Sequence, residues 1–170
     1  NGAAENPLIT RESEDYSIFL EAIRTVTKDL AKQMAADGEG ASRLFEAKVI
    51  HAASEKDARV LAKSVITSNL TKAAIFGKDA NWGRILCALG YSGVNFDPER
   101  VDLTFVSDKG QIQLIENGVA LDYSEDLATE ILSSDAVTCI CDMKQGEDTA
   151  TAWGCDLTYD YVKINADYRS

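Results

Sequence analysis

The fold class is decided by residues 42–77, which read SRLFEAKVIHAASEKDARVLAKSVITSNLTKAAIFG. Phe45, Ala47 and Val49 alternate with charged residues, which is the spacing of a β-strand that buries one face. Residues 54–57 (Ser-Glu-Lys-Asp) then resemble the start of a helix, with a hydroxyl cap and acidic residues in the first turn. That helix is predicted to continue to the glycine that closes the stretch. A strand followed directly by a helix indicates helices layered on a sheet.

A long amphipathic helix is predicted before this strand, from about residue 15 to residue 37. Its apolar residues recur at steps of three and four and form one stripe: Phe19, Ala22, Ile23, Val26, Leu30 and Met34. Gly38 is expected to end the helix in the left-handed conformation. Residues 1–12 are predicted to form a loop.

Helices and hairpins alternate irregularly over the rest of the chain. Helices are predicted at residues 81–89 and 124–133. Strands 101–107 and 111–116 are joined by Asp-Lys-Gly, a good hairpin turn. Strands 136–143 and 149–156 are predicted to form a second hairpin, and the secondary structure of residues 159–170 stays open. The order predicts an α/β fold, more closely an α+β layered sandwich, in which residues 1–170 form a single unit.

The composition excludes several classes of protein. With 28 acidic residues against 17 basic ones, the formal charge of −11 disfavours binding to nucleic acids and to anionic membranes. No apolar run approaches the roughly 20 residues of a transmembrane helix. The four cysteines contain no CxxC pair and the only histidine is His51, so we expect no metal and no cofactor, and thiols that are reduced and packed as small apolar groups.

Conventional catalytic signatures are missing, since the chain has no GxSxG, P-loop, GxGxxG or HExxH motif. Three segments still need an explanation. Glu39 lies between two glycines, either as a solvated residue after a helix or as a carboxylate aimed at a substrate ammonium. Residues 77–93, GKDANWGRILCALGYSG, favour a structural element in which Asp79 can cap a helix and Gly83 allows close packing. Residues 161–170, YVKINADYRS, are either a packed tail or a tail that contacts a ligand.

These segments, in this order, resemble the ornithine acetyltransferase (glutamate N-acetyltransferase) family. Residues 77–93 and 158–170 are similar to the two long signatures of that family, and DGEGASRLFE, residues 37–46, is similar to its Gly-Glu-Gly turn. NGAAENP, residues 1–7, resembles the end of an earlier family strand. The similarity covers the whole chain, and the two long motifs are highly specific.

The resemblance implies a precursor that cleaves itself before a threonine to give α and β chains. The new N-terminal threonine would take the acetyl group from N2-acetylornithine and pass it to glutamate, and some members also use acetyl-coenzyme A. Residue 1 is Asn and no family cleavage motif precedes a plausible nucleophile. We therefore expect this chain to be the C-terminal domain of the β chain, with the nucleophile and the α chain upstream.

Carried over residue by residue, the substrate contacts of the family fall on Glu39, Asn165 and Ser170, and no catalytic residue falls within the chain. Ser170 stands where many members have threonine, and it keeps the hydroxyl group. The resemblance further implies an αβ heterodimer that pairs into α2β2, and a location in the cytoplasm, or in the mitochondrial matrix of a fungus.

Two other functions remain open from the residues. The chain could be a non-catalytic amino-acid-binding domain that uses Glu39 and the C-terminus. It could also be a structural interaction domain, which the absence of a cleft around these residues would favour. An upstream segment with a threonine-containing cleavage site would favour the enzyme.

Overall fold

The computed structural model describes residues 2–167 and contains one mixed sheet with helices on both faces. The strands are β1 (Leu44–Ala52), β2 (Asp102–Ser107), β3 (Gly110–Glu116), β4 (Val119–Ala120), β5 (Ala136–Asp142) and β6 (Asp148–Cys155). The helices are α1 (Tyr16–Ala36), α2 (Glu55–Thr67), α3 (Asn69–Phe76), α4 (Trp82–Gly90), α5 (Glu125–Leu132) and α6 (Tyr159–Asp167). The predicted α/β class is confirmed.

The sheet order is β4-β3-β2-β5-β1-β6. β1 and β5 are parallel, whereas every other neighbouring pair is antiparallel. The hairpin of β2 and β3 was predicted correctly. The predicted hairpin of β5 and β6 is wrong, because β1 lies between them and pairs with both. The turn residues between β5 and β6 therefore did not reveal that another strand separates these two in the sheet.

One face of the sheet carries the core. Phe45, Ala47 and Val49 of β1 are fully buried, as their alternation predicted. α2 packs on β1 and β6, while α5 packs on β2 and β3. Cys139 and Cys141 of β5 point to this same buried face, and all four cysteines are free.

The helix predicted from residue 54 to residue 77 is in fact two helices. Ser54 caps α2, as expected, by accepting a hydrogen bond from the Asp57 amide. Ser68 then adopts an extended conformation and caps α3 by accepting from the Thr71 amide. A hydroxyl residue that can cap a new helix therefore ends one helix and begins another, although the apolar spacing continues through both.

α1 lies across the opposite face of the sheet, beside β1 and β6. Lys32 of α1 reaches Glu46 of β1 at 3.4 Å, and its ammonium lies 5.6 Å from the ring centre of Trp153 in β6. Glu46 alternates with the buried residues of β1, and Trp153 is its partner in β6, which places both side chains on the face away from α2. No helix within residues 2–167 combines the length and the apolar character needed to cross a membrane.

Candidate functional site

The glycine turn that follows α1 is built around close backbone contacts. Gly40 has a φ of +65°, and a Cβ atom at this position would lie 2.6 Å from the Tyr161 nitrogen. Gly38 does not have a positive φ, so its predicted left-handed conformation is wrong. Position 38 instead lacks room for a side chain, because a Cβ atom there would lie 2.7 Å from the sulfur of Cys155. Gly40 is needed because α6 packs directly on the turn, and Gly38 is needed because the end of β6 does.

Thr158 ties the last helix to this turn. Its hydroxyl donates a 2.6 Å hydrogen bond to the Gly40 carbonyl oxygen and accepts a 3.1 Å hydrogen bond from the Tyr161 amide, in the first turn of α6. Thr158 is itself buried. The ring of Tyr159 meets the ring of Phe76 edge-on, with centres 5.5 Å apart, so the start of α6 also contacts the end of α3.

A buried carboxylate holds the segment before α6. Asp156 accepts hydrogen bonds from the backbone amides of Ser42 and Arg43, at 2.8 and 3.2 Å, and from the Ser42 hydroxyl. The guanidinium of Arg43 lies 3.6 Å from the same carboxylate. The turn, the start of β1 and the C-terminal segment are therefore connected side by side. Sequence reasoning missed Asp156 and Thr158, because nothing in their spacing distinguishes them from surface residues.

Glu39 and Asn165 meet on the exposed side of this junction. The Asn165 amide nitrogen donates to a Glu39 carboxylate oxygen at 3.0 Å and to the Tyr161 carbonyl at 2.9 Å. Both partners are acceptors, so the amide group must turn its nitrogen towards them. Ser170, the third predicted contact, lies outside the described residues.

The free atoms of this pair favour one type of ligand. Both amide protons of Asn165 are already used, so the side chain has no free N–H group to donate to a substrate carboxylate. The hydrogen-bonding groups that the pair leaves open to solvent are acceptors, namely the Glu39 carboxylate and the Asn165 amide oxygen. Two acceptors, one of them charged, suit an ammonium group.

The segment at residues 77–93 has a structural role here. Asn81, and not Asp79 as predicted, caps α4 by accepting from the Arg84 amide at 3.2 Å. Gly83 needs no special space, because the nearest atom to an added Cβ is 3.6 Å away. The side chain of Arg84 donates to the Leu70 carbonyl at 2.9 Å and so ties α4 to α3. These contacts support the helix on which Tyr159 packs.

Two other polar features lie away from this pair. His51, near the end of β1, is half-exposed and has a φ of +52°, and its Nδ1 lies 2.9 Å from the carboxylate of Asp142 at the end of β5. A groove of about 1040 Å³ runs between α1 and the β1–β6 part of the sheet, and neither Glu39 nor Asn165 lines it. Among residues 2–167, no cluster of three or more His, Cys, Asp or Glu side chains has the arrangement of a metal site.

Comparison with known proteins identifies relatives over the whole chain. The model of the ArgJ family matches residues 1–170. The arginine biosynthesis bifunctional protein ArgJ 1 of Clostridium acetobutylicum is 52% identical over 170 residues, which are 100% of this chain and 42% of that protein. ArgJ of Bacillus subtilis (strain 168) is 44% identical over 100% of this chain and 41% of its own length. The chain thus spans about two fifths of the length of the curated relatives it matches.

A solved structure agrees with the fold. The crystal structure of the arginine biosynthesis bifunctional protein ArgJ from Bacillus halodurans has a TM-score of 0.92 and 44% identity to this chain. The match covers 98% of this chain and 77% of that one. Sequence, family model and architecture agree over the same residues, and the chain belongs to the ArgJ family.

Proposed function

We propose that this chain is the C-terminal part of the β chain of a glutamate N-acetyltransferase and that it supplies part of the substrate-binding site. The observation that carries the proposal is the pairing of Glu39 with Asn165 at 3.0 Å. The family resemblance singled out both residues, although they are 126 positions apart in sequence.

The proposed reaction has two steps of acyl transfer. A threonine outside residues 1–170 attacks the acetyl carbonyl carbon of N2-acetylornithine, the amide bond breaks, and the leaving ornithine nitrogen takes a proton. The amine of glutamate then attacks the acetyl-threonine ester, which releases the threonine hydroxyl and forms N-acetylglutamate. No redox partner or cofactor is needed for this balance.

The chemistry of the pair points to the role of this chain in that reaction. N2-acetylornithine carries a free side-chain ammonium group, which has three donors and no acceptor. The Glu39 carboxylate and the Asn165 amide oxygen hold this ammonium and thereby set the distance from the acetyl group to the nucleophile. In this proposal Ser170 contributes a hydroxyl group to the same substrate-binding site. Positioning of this kind accelerates a reaction because the reacting atoms are held in line.

The assembly follows from the same proposal. The α chain and the rest of the β chain complete the site, and αβ units pair into α2β2. The location is the cytoplasm, or the mitochondrial matrix in a fungal cell. An assay of the complete enzyme with acetyl-coenzyme A in place of N2-acetylornithine tests whether it serves as a second acetyl donor.

The test is Glu39→Gln in the complete polypeptide, assayed for acetyl transfer from N2-acetylornithine to glutamate. Hydrogen bonds to charged groups contribute about 1.5–3 kcal/mol, so kcat/KM for acetylornithine should fall by about 10- to 150-fold. Glu130→Gln is the matched control, because Glu130 is exposed on α5, away from the turn. Unchanged kinetics for Glu39→Gln would remove Glu39 from the site.

A second variant tests the tail. Deletion of Arg169 and Ser170 should strongly reduce turnover while the far-ultraviolet circular dichroism spectrum and the melting temperature stay the same. Wild-type turnover after this deletion would contradict the assignment of Ser170. A complete polypeptide that binds acetylornithine but never forms an acetyl-enzyme would instead favour the non-catalytic amino-acid-binding domain.

A further inference from the structure

The groove between α1 and the β1–β6 part of the sheet has a charge balance that differs from the rest of the chain. The side of α1 that faces the sheet carries basic residues, while its apolar stripe is exposed to solvent. The whole chain has 28 acidic and 17 basic residues. The groove has four acidic side chains and five basic ones, which are Arg24, Lys28, Lys32, Lys48 and Arg59. Basic side chains are therefore concentrated in this groove.

Every acidic side chain of the groove already has a partner. Three of them form ion pairs with basic residues of the same groove, at 2.6 to 3.8 Å: Glu21 with Arg24, Glu46 with Lys32, and Glu55 with Arg59. The fourth, Asp29, accepts a 2.7 Å hydrogen bond from the side chain of Gln33. Lys28 and Lys48 are therefore left as the two basic side chains of the groove without a carboxylate within 4 Å among residues 2–167.

Lys28 and Lys48 approach the groove from opposite walls. Lys28 lies one turn before Lys32, on the side of α1 that faces the sheet. Lys48 of β1 pairs in register with Thr151 of β6, and Thr149 lies two residues earlier on the same face. In the part of the chain that the structure describes, the hydroxyl groups of both threonines make no hydrogen bond to another group. Two ammonium groups and two hydroxyl groups are therefore available as donors in one groove.

The positive charges on the two walls repel one another. Arg24, Lys28 and Lys32 follow at steps of four residues, and like charges at that spacing destabilise a helix. Lys48 adds a further positive charge at a half-buried position, where an unpaired charge is less favourable than in open water. A ligand that brings negative charge between the two walls would relieve both effects.

We propose that this groove binds a small organic anion with at least two negative charges, held by Lys28, Lys48 and the hydroxyl groups of Thr149 and Thr151. Phosphate and carboxylate oxygens accept hydrogen bonds from ammonium and hydroxyl groups, and bonds between charged groups are the stronger ones. The groove measures about 1040 Å³, which is at the upper end of the range of small-molecule sites, so it accommodates an organic body in addition to the anionic groups. A nucleic acid is a poorer ligand, because four carboxylates line the same groove.

The groove and the glycine turn favour opposite ligands. The pair of Glu39 and Asn165 leaves acceptors open and suits an ammonium group, whereas the groove leaves donors open and suits an anion. Neither Glu39 nor Asn165 lines the groove. A ligand of the groove should therefore bind together with N2-acetylornithine, and the inference does not depend on the proposed acetyl transfer.

The test is isothermal titration calorimetry of the complete polypeptide at low ionic strength. Inorganic pyrophosphate serves as the phosphate probe and tricarballylate as the carboxylate probe, and the one that binds more tightly identifies the type of anion. Lys28→Gln and Lys48→Gln should each raise the Kd of that probe by about 10-fold, because a hydrogen bond between charged groups is lost. Thr151→Val keeps the shape of the side chain but removes the hydroxyl group, and should raise the Kd by about 5-fold.

Lys63→Gln is the matched control, since Lys63 is exposed on α2, outside the groove, and its replacement removes the same charge. Its Kd should equal that of the wild type, and circular dichroism should show that every variant is folded. The inference is overturned if neither probe binds, if Lys28→Gln and Lys48→Gln bind as tightly as Lys63→Gln, or if N2-acetylornithine displaces the probe. An inactive polypeptide with the expected binding would keep this inference and remove only the proposed activity.

Discussion

The side-chain amide of Asn165 donates a 3.0 Å hydrogen bond to the carboxylate of Glu39. The second proton of the same amide goes to the Tyr161 carbonyl, one turn earlier in α6. The orientation of the amide is therefore fixed by two acceptors, and its oxygen faces away from both. The side chain of Asn165 therefore fixes the geometry of a candidate site that is shared between the glycine turn and α6.

The first prediction concerns the contact beneath this pair. Gly40→Ala should displace α6, because a Cβ at residue 40 would lie 2.6 Å from the Tyr161 nitrogen and the φ of +65° is unfavourable for alanine. The expected cost is about 1–2 kcal/mol from the backbone and a further 1–3 kcal/mol from the clash. Hydrogen–deuterium exchange of the α6 amides in the complete polypeptide should become faster.

Gly93→Ala is the matched control for this variant. Gly93 has a φ of +83° but nothing within 4 Å of an added Cβ, so it has the backbone cost without the clash. Exchange in α6 should stay at the wild-type rate. Equal exchange rates in the two variants would show that the close approach of Gly40 to α6 is not needed.

The second prediction concerns the hydroxyl that joins the turn to α6. Thr158→Val keeps the shape of the side chain but removes the hydrogen bonds to the Gly40 carbonyl and from the Tyr161 amide. Leaving buried polar groups unpaired costs about 1–3 kcal/mol. The amides of the first turn of α6 should therefore exchange faster. Thr149→Val, at an exposed position of β6, should not change this exchange, and a null result for Thr158 would contradict its role.

Much of the fold could be predicted because it depends on local patterns. The alternation around Phe45 and Val49 gives β1, and the Asp-Lys-Gly turn gives the hairpin of β2 and β3. The break at Ser68 was missed, because the apolar spacing continues across it and only the cap hydrogen bond to Thr71 interrupts the helix. Strand neighbours were missed where pairing is long-range, since β5 pairs with β1 and not with β6.

The candidate site likewise contains residues that the sequence could predict and residues that it could not. Glu39 between its glycines is conspicuous in the sequence, and the family resemblance pointed to Asn165. The contacts that bring them together come from Asp156 and Thr158, which have no periodic or motif signal and act through partners more than 100 positions away. The exposure of the α1 stripe was also unpredictable, because a hydrophobic pattern states which face is apolar and not what covers it.

The third prediction concerns the reactivity of the thiols and its pH dependence. The hydrogen bond with Cys141, at 3.8 Å between the sulfur atoms, and burial raise the pKa of the Cys139 thiol well above its usual range. Alkylation by iodoacetamide requires the thiolate, so Cys139 should stay unmodified in the native protein and react after denaturation. Peptide mass spectrometry checks this, with exposed Cys87 as the control. Native-state modification of Cys139 at the rate of Cys87 would contradict the buried environment.

The sign of the pH effect follows from the same shift. Since the folded pKa of Cys139 lies above the unfolded value of about 8.5, its contribution to stability is complete below about pH 8.5. It declines as the pH rises from there towards the folded pKa, because the unfolded thiol ionises first. Cys139→Ala should therefore lose stability less steeply than the wild type above about pH 8.5 in urea titrations.

The last prediction concerns the buried ion pair that anchors the C-terminal segment. Asp156→Asn removes the negative charge beside Arg43. It also replaces the carboxylate, which accepts hydrogen bonds from two backbone amides, by a side-chain amide that has only one acceptor oxygen. Removal of one partner of a buried pair costs about 3–5 kcal/mol, because the remaining charge is left without compensation. Urea unfolding of the complete polypeptide should show this loss, whereas Asp108→Asn, in the exposed hairpin turn, should stay within about 0.5 kcal/mol of the wild type.

If the loss comes from the stranded guanidinium, Arg43→Met combined with Asp156→Asn should recover part of it, since the uncompensated charge is then gone. A double variant as unstable as the sum of both single variants would mean that the carboxylate acts through the Ser42 and Arg43 backbone amides alone.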